Sequence, residues 1–489
     1  MTVTPAGTPA APATPAAPAT PAASGTAAVP AVSALPVTQV APTTPATPAA
    51  AASGSPYQSY VYAYPHKTAY RALPERPPLR ELWAGEPQHA LSLYLHIPFC
   101  EVRCGFCNLF TRIGSPEGLT TAYLDALDRQ AAAVREALAG DARFALAAFG
   151  GGTPTYLSAG ELERLCDIAE QRMGADLQAV PLSVEASPAT ATADRLEVLA
   201  TRGTTRLSLG VQSFIDREAR SAVRPQKRAE VEAALGRIRA AGFPVLNIDL
   251  IYGIDGQTEA SWLHSLDAAL AWQPEELYLY PLYVRPLTGL ARRGEPESPA
   301  AWDARRLALY RAGRDHLLDR GYRQVSMRMF RRAASPQATA GEYACQTDGM
   351  VGLGCGARSY TSRLHYSFDY AVDATEVRGI IDAYVATGDF HRAEYGRYTT
   401  PEEARRRHLL QSLLQAEGME LADYRARFGS APAEDFPVEL AAFEAHGWLA
   451  DGGGPRLALS PEGLAHSDAV GPMLFSPEVC RLMAEYEAK

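Results

Sequence analysis

Three cysteines, Cys100, Cys104 and Cys107, have three and then two residues between them and follow directly on an apolar run, LSLYLHI, that reads as a strand. Thiolates are soft ligands and iron–sulfur clusters are held mainly by them, so three on one short loop suit a [4Fe–4S] cluster with one iron lacking a protein ligand. That open iron is where a small molecule can bind and react. A structural zinc site would want a fourth ligand, and nearby His96 lies beyond Pro98, where it is expected to support the loop rather than ligate. Unrelated core thiols would not need to share one loop between Pro98 and Gly105-Phe106.

Further groups with chemical potential stand where apolar runs end. Gly150-Gly151-Gly152-Thr153-Pro154-Thr155 follows one such run. Successive glycines there let backbone N–H and C=O groups face a bound amino acid or ribose, and a plain tight turn is the alternative. Glu185 in SVEASP can hold ribose hydroxyls or an ammonium, or else merely favour a helix N-terminus. Gln212 in RLSLGVQSF and Asp249 in NIDLIYG are also expected at strand ends, with Arg224 twelve residues past Gln212, and all three should emerge at the mouth those ends form.

The cluster spacing together with YLHIPFC resembles the loop of the radical S-adenosylmethionine (SAM) enzymes, in the version found in oxygen-independent coproporphyrinogen III oxidases and the related heme chaperones. The resemblance runs from about residue 57 to the C-terminus. It implies a 4Fe-4S cluster held by Cys100, Cys104 and Cys107, with SAM on the open iron and an electron donor such as flavodoxin or ferredoxin. The GGGTPT segment, with Gly151, Gly152 and Thr153, would contact the methionyl part of SAM; Tyr94 and Glu185 would bind the same molecule. Gln212, Arg224 and Asp249 would line a second SAM or substrate position, with Phe106 stacked near it. Tyr94 and Phe106 are equally compatible with ordinary core packing.

The reaction implied is hydrogen abstraction by a 5′-deoxyadenosyl radical. On a porphyrin-type substrate it leads to oxidative decarboxylation of a propionate to a vinyl group. One position departs from the pattern: the authentic oxidases carry a further cysteine two residues past the third, where this chain has Leu109. The heme chaperones lack that cysteine as well. A heme-binding chaperone without net redox catalysis and a two-SAM radical C-methyltransferase are therefore the alternatives. Carboxylates of a tetrapyrrole would need cations, and Arg285, Arg328, Arg331, Arg332 and Arg358 are available, although solvation is expected for most of them.

Residues with these roles must be held at one face. Expected strands at 91–97, 144–149, 181–185, 205–211, 244–252 and 276–282 alternate with expected helices at 120–139, 158–173, 191–202, 227–241 and 259–272. Repeats of this kind argue for a parallel sheet whose strand carboxyl ends gather ligands. The fold class is α/β, and six strands fit the partial (βα)6 radical SAM barrel of the resembled superfamily. A helix at 301–320 leads to VGLGCGARSY, where glycines at 352, 354 and 356 allow close approach of a ligand or another strand. Helices at 401–417, 421–428 and 438–446, with two short strands around LALSPEG, make a helical, winged-helix-like C-terminal domain, expected to lid the barrel.

The expected domains are a disordered Ala/Pro/Thr-rich tail (1–55), an extended N-terminal arm (56–90), the barrel (91–299), a barrel extension and connecting region (300–399) and the lid (400–489). The tail lacks the positive n-region and unbroken apolar stretch of a secretory signal. The arm is rich in tyrosine, and exposed aromatics at that density would be a liability, so it should lie on another surface. At 489 residues and 47% hydrophobic content the chain can bury a large core. Seven cysteines, an odd number, favour a reducing cytoplasm over a disulfide framework. Cys166, Cys345, Cys355 and Cys480 read as buried thiols. A net charge of -9 gives no electrostatic footprint for nucleic acid, the run Arg405-Arg406-Arg407 reads as a solvated face, and no apolar run is long enough to span a membrane.

Overall fold

The computed structural model describes residues 54–292, 297–334, 348–452 and 454–487. Six strands, β1 (Leu91–Ile97), β2 (Phe144–Gly151), β3 (Leu182–Ala186), β4 (Thr204–Gln212), β5 (Val245–Tyr252) and β6 (Glu276–Pro281), lie side by side in chain order, all parallel. A parallel pair needs a crossover, and α1 (Leu119–Ala137), α2 (Ala159–Asp167), α3 (Ala193–Thr201), α4 (Arg228–Ala241) and α5 (Glu259–Leu270) supply them. Local signals mark their starts. Ser158 caps α2 in a box with Glu161, an S-x-x-E pattern. The helix expected to reach 173 ends earlier as α and continues as a π turn, Ile168–Arg172.

Side chains alternate across a strand, and here each face has its own chemistry. Leu207, Leu209 and Val211 of β4, Leu246, Ile248 and Leu250 of β5, and Leu277 and Leu279 of β6 are fully buried in one core with Leu196, Leu199, Val231 and Leu235 of the helices. The other face carries Arg206, Ser208 and Gln212 of β4, Asn247 and Asp249 of β5, and Tyr278 and Tyr280 of β6, and these line a cavity. The helices thus hold the sheet by its apolar face and leave its polar face to the site.

The sheet is wider than the six strands expected. Beyond α6 (Pro299–Asp319) come β7 (Tyr322–Gln324) and β8 (Met329–Arg332); β8 adds antiparallel to β6, and β7 antiparallel to β8. On the other edge β9 (Met350–Leu353) pairs parallel to β1, followed by β10 (Arg358–Tyr360), β11 (Leu364–Ser367), β12 (Tyr395–Tyr398) and the two residues Arg71–Ala72. Runs such as YRQ, MFRR and RSY are too short and too charged to carry a visible period. The alternate glycines serve this edge: a Cβ at Gly352 would lie 2.1 Å from the Arg358 carbonyl oxygen, and one at Gly356 would lie 2.2 Å from His96 Nε2. Their partner is a strand and the His96 ring.

The C-terminal region is helical. It contains α7 (Pro401–Leu413), α8 (Leu421–Phe428) and α9 (Pro437–Ala445), then three further helices, Pro461–Ala465, Ser467–Met473 and Pro477–Ala484. The two strands expected around LALSPEG are instead one, Arg456–Leu457, paired with Met419–Glu420, because Ser460 caps a helix at SPEG. Its core includes Leu409, Tyr424, Phe443 and Trp448, and also Tyr64 of the arm. The arm is therefore extended only in part: it has a helical turn at Lys67–Ala69 and a helix at Leu79–Trp83, whose apolar side chains are buried.

The run Arg405-Arg406-Arg407 is not a solvated face. Arg406 and Arg407 are buried, the first bonded to Glu439 and the Leu474 carbonyl, the second to Asp348 and the Tyr64 carbonyl. Acceptors from four other segments, two of them carboxylates, take up these guanidiniums, which sequence adjacency to Glu402 and Glu403 does not reveal. Among the described residues no helix is long and apolar enough to cross a membrane. The expected tail lies almost wholly outside the described residues, as does Cys345; Cys166 and Cys355 are buried.

Candidate active site

The loop after β1 is held at several points. Cys100 N–H donates to the Arg112 carbonyl (3.0 Å), Cys107 N–H to the Cys104 carbonyl (3.1 Å) and Gly105 N–H to the Ala222 carbonyl (3.1 Å). From the β2 end, Gly152 N–H donates to the Ile97 carbonyl (2.8 Å) and Thr153 N–H to the Phe99 carbonyl (2.9 Å). A side chain at position 152 would meet the Phe99 carbonyl oxygen at 2.7 Å and Cys100 Sγ at 3.0 Å, so glycine is needed for the two loops to close.

Each thiol has a polar side chain beside it. Thr153 Oγ1 is 3.5 Å from Cys100 Sγ, Thr111 Oγ1 is 4.0 Å from Cys107 Sγ, and Arg224 Nη1 donates to Cys104 Sγ at 3.2 Å. Burial pushes the Cys100 thiol up to about 12 against the help of Thr153, and Cys107 and Cys104 add like-charge repulsion. Burial raises Cys107 too. Thiolates in this loop therefore require a cation, and a bound metal deprotonates its thiols outright. Among the described residues no three such donors come close enough to share a single metal ion. A [4Fe–4S] cluster fits this donor set better, because it spreads its thiolates over separate irons.

Next to the thiols lies a polar cradle. Gly151 N–H donates to Glu185 Oε2 at 3.1 Å, and a side chain at Gly150 would strike Tyr94 Oη (3.1 Å) and Glu185 (3.2 Å). Glu185 opens to the cavity yet stands deep below the molecular surface. Desolvation and then the Asp249 charge raise its carboxyl to about 7. His96 is buried and held neutral, down to about 4, by desolvation. The Phe110 carbonyl can only accept, so His96 Nε2 donates to it (3.3 Å) and Nδ1 accepts from the Tyr94 hydroxyl (3.3 Å). With both nitrogens committed, His96 supports the loop and is not a ligand to it.

Further round the cavity, Asp249 accepts from Asn247 Nδ2 (2.7 Å) and Ser208 Oγ (3.4 Å), and burial raises its carboxyl. Arg224 Nη2 donates to the Gly210 carbonyl (2.5 Å) and its Nε to Gln226 (2.6 Å). Gln212 has φ 70° where the β4–β5 register shifts, a left-handed conformation costly for a glutamine and a device that redirects the side chain. Phe106 packs beside Ile251, Leu282 and Tyr280.

All twelve residues singled out from the sequence line one cavity of about 1460 Å³: Tyr94, Cys100, Cys104, Phe106, Cys107, Gly151, Gly152, Thr153, Glu185, Gln212, Arg224 and Asp249. Several others line it unforeseen, including Arg206, Glu276, Tyr62 and Lys67. Arg206 bonds Glu276 (2.7 Å) and Ser183 (3.0 Å). It stands two residues before Ser208 and six before Gln212, so the period-two face would have exposed it.

The arginines expected in solvent also differ. Arg328 and Arg331 are buried, paired with Asp468 and Glu276. Arg358 and Arg285 face the cavity, and Arg332 reaches Glu275 at 2.7 Å. The arm forms one wall: Tyr60 lies under Arg328 (3.9 Å to the ring centroid), and Ser59 N–H donates to the Asp468 carbonyl of the C-terminal region (3.1 Å).

Residues 94–269 match the family model of the radical SAM superfamily, and residues 399–466 that of the HemN C-terminal domain. The oxygen-independent coproporphyrinogen III oxidase of Bradyrhizobium diazoefficiens is 29% identical over 392 residues, 75% of this chain and 84% of its own. The heme chaperone HemW of Bacillus subtilis is 27% identical over 352 residues, 71% of this chain and 90% of its own. The solved structure of coproporphyrinogen III oxidase (HemN) from Escherichia coli shares the fold, with a TM-score of 0.71 at 23% identity, over 88% of this chain and 98% of that one.

Proposed function

The chain belongs to the radical SAM superfamily and carries a HemN C-terminal domain, and from that premise we propose that it is an oxidoreductase acting on a tetrapyrrole, in the manner of a coproporphyrinogen III oxidase. The observation that carries this reading is the single cavity shared by three thiols, a glycine cradle, two carboxylates and an arginine. A [4Fe–4S] cluster, when bound and reduced by one electron, supplies the cleavage of SAM to methionine and a 5′-deoxyadenosyl radical.

Cys100, Cys104 and Cys107 hold the cluster in this account, and the Arg224 guanidinium beside Cys104 offsets the thiolate charge. The backbone of Gly151 and Gly152, with Thr153, Glu185 and Tyr94, holds the SAM on the open iron. Gln212 and Asp249 face the adjoining space, where they bind substrate or a second SAM, and Phe106 stacks beside it. Arm and C-terminal region close the mouth, which keeps water from a reactive carbon-centred species. The substrate would lose a hydrogen atom from the propionate β-carbon, the one attached to the ring, to form 5′-deoxyadenosine; carbon dioxide would then leave from the α-carbon as one electron passes to an external one-electron acceptor, and a vinyl group would remain.

One feature favours a second reading, that of a heme chaperone. Leu109 stands 49% exposed at the position of the further cysteine of the authentic oxidases. The two readings part under anaerobic incubation with SAM, reductant and coproporphyrinogen III. Vinyl product with substrate-dependent 5′-deoxyadenosine is the expected result. Stoichiometric heme binding with no substrate-dependent 5′-deoxyadenosine would establish the chaperone instead.

A further inference from the structure

Apart from Arg224, which is spent on Cys104, Gln226 and the Gly210 carbonyl, and Arg427, paired with Asp348, the cations that line the cavity fall into two classes. Arg206, Arg328, Arg331 and Arg407 each have a carboxylate partner, respectively Glu276, Asp468, Glu276 and Asp348. Lys67, Arg285 and Arg358 have none among the described residues. Arg358 Nη1 donates to the Tyr62 hydroxyl (3.2 Å), Arg285 Nη2 donates to the Gln58 carbonyl (3.2 Å), and Lys67 Nζ sits 3.5 Å from the centroid of the Tyr370 ring. Carbonyl and hydroxyl oxygens and aromatic faces meet these three charges, and no carboxylate is paired with them; the Tyr62 hydroxyl, which burial would raise, is pulled down to about 8 by Arg358 and Lys67.

The three share one neighbourhood. Burial, and then Lys67, Arg358 and Arg285 together, hold the His66 imidazole well below its usual range. Burial with the Arg358 charge brings the Lys67 ammonium down to about 8 despite Tyr62. Tyr370 ties this group to the cysteine loop, since its hydroxyl donates to the Asn108 carbonyl at 2.6 Å. Desolvated like charges without a counterion are unfavourable, and proteins keep them where a ligand brings the opposite charge.

We propose that Lys67, Arg285 and Arg358 form a receptor for a carboxylate side arm of the substrate, placed on the Asn108 side of the cavity next to the cysteine loop. This rests on the reading that the cavity takes a tetrapyrrole, and it names the part of that molecule the protein grips. The site holds one arm at three points: a guanidinium fork, a second guanidinium and an ammonium that the helical turn Lys67–Ala69 carries in from the arm. With the arm displaced, the receptor is incomplete.

The test uses the reconstituted protein and two fluorescent probes, coproporphyrin III and its tetramethyl ester, whose rings are the same and whose charges are not. The wild type should bind the free acid at least about tenfold more tightly than the ester, as charge-assisted hydrogen bonds imply. Lys67→Met and Arg285→Met should each lose that preference with ester affinity unchanged, and Lys67→Arg should keep it. Variants that bind the acid as the wild type does would overturn the receptor while leaving the tetrapyrrole reading intact. If the wild type binds neither probe, the tetrapyrrole reading falls. The receptor then stands only if glutarate raises the melting temperature of the wild type and not of Lys67→Met, and it falls if glutarate affects both alike.

Discussion

Arg224 joins two parts of the site: one Nη donates to Cys104 Sγ at 3.2 Å and the other to the Gly210 carbonyl of β4 at 2.5 Å. The cysteine loop and the barrel strand are thereby held by one guanidinium. Arg224→Leu removes the charge beside a thiolate and leaves a carbonyl unpaired. At equal iron content we expect 5′-deoxyadenosine formation to fall by about tenfold or more, and Arg224→Lys to recover part of it. Unchanged rates in Arg224→Leu would show the contact to be incidental.

Glu185 should give the protein a pH dependence. Its carboxyl is raised to about 7, so it is protonated in the empty site below that pH and charged above it. SAM, which carries an ammonium, should bind more weakly as pH falls through 7, and Glu185→Gln should flatten that profile. The stability effect has the opposite sense. A carboxyl whose folded value lies above the usual 4.5 binds its proton more tightly in the folded state. Its contribution is therefore fully present below 4.5 and lost as pH rises through 7. Glu185→Gln should accordingly raise the melting temperature of the SAM-free protein at pH 8 and leave it unchanged at pH 4.5.

The contact between Arg328 and Asp468 clamps the C-terminal region to the barrel, with both side chains almost fully buried and Tyr283 donating to the same carboxylate. Removing one partner of such a pair costs about 3–5 kcal/mol because the other is left charged and unpaired. Asp468→Ala should show that loss in denaturant unfolding. A change below about 1 kcal/mol would mean that water reaches the pair.

Gly352 shows why the glycine-rich segment exists. A methyl group there would lie 2.1 Å from a backbone oxygen on the paired strand, which has no free end to swing away. Gly352→Ala should destabilise by about 2 kcal/mol or more, whereas Gly140→Ala, with nothing within 4 Å, should change stability by less than about 0.5 kcal/mol. Thermal melts of the two variants, measured side by side, check this.

The six parallel strands were legible because each is a largely apolar run, and polar or glycine residues in or just after those runs were the candidates for the site; Asp249, expected at a strand end, stands inside β5, three residues before it closes. Their convergence on one cavity follows from parallel geometry, which brings every carboxyl end to the same side. Arg206 and Lys67 escaped notice for different reasons. Arg206 stands at the opening end of its strand, where only strict alternation with Ser208 and Gln212 marks it as inward. Lys67 lies in a tyrosine-rich arm with no period, and only the tertiary path of the arm brings it into the cavity. The pairing of Arg328 with Asp468, 140 residues apart, has no local trace at all. Short edge strands such as Arg358–Tyr360 were equally hidden, since three residues cannot display a pattern.

The most direct measurement of the central claim is the yield of 5′-deoxyadenosine from SAM under anaerobic reduction, for the reconstituted wild type beside Cys104→Ala. Formation of 5′-deoxyadenosine by the wild type, stimulated by coproporphyrinogen III and lost in Cys104→Ala together with the bound iron, is the predicted result. Equal yields from the two proteins, or none from a wild type loaded with iron and sulfide, would contradict it.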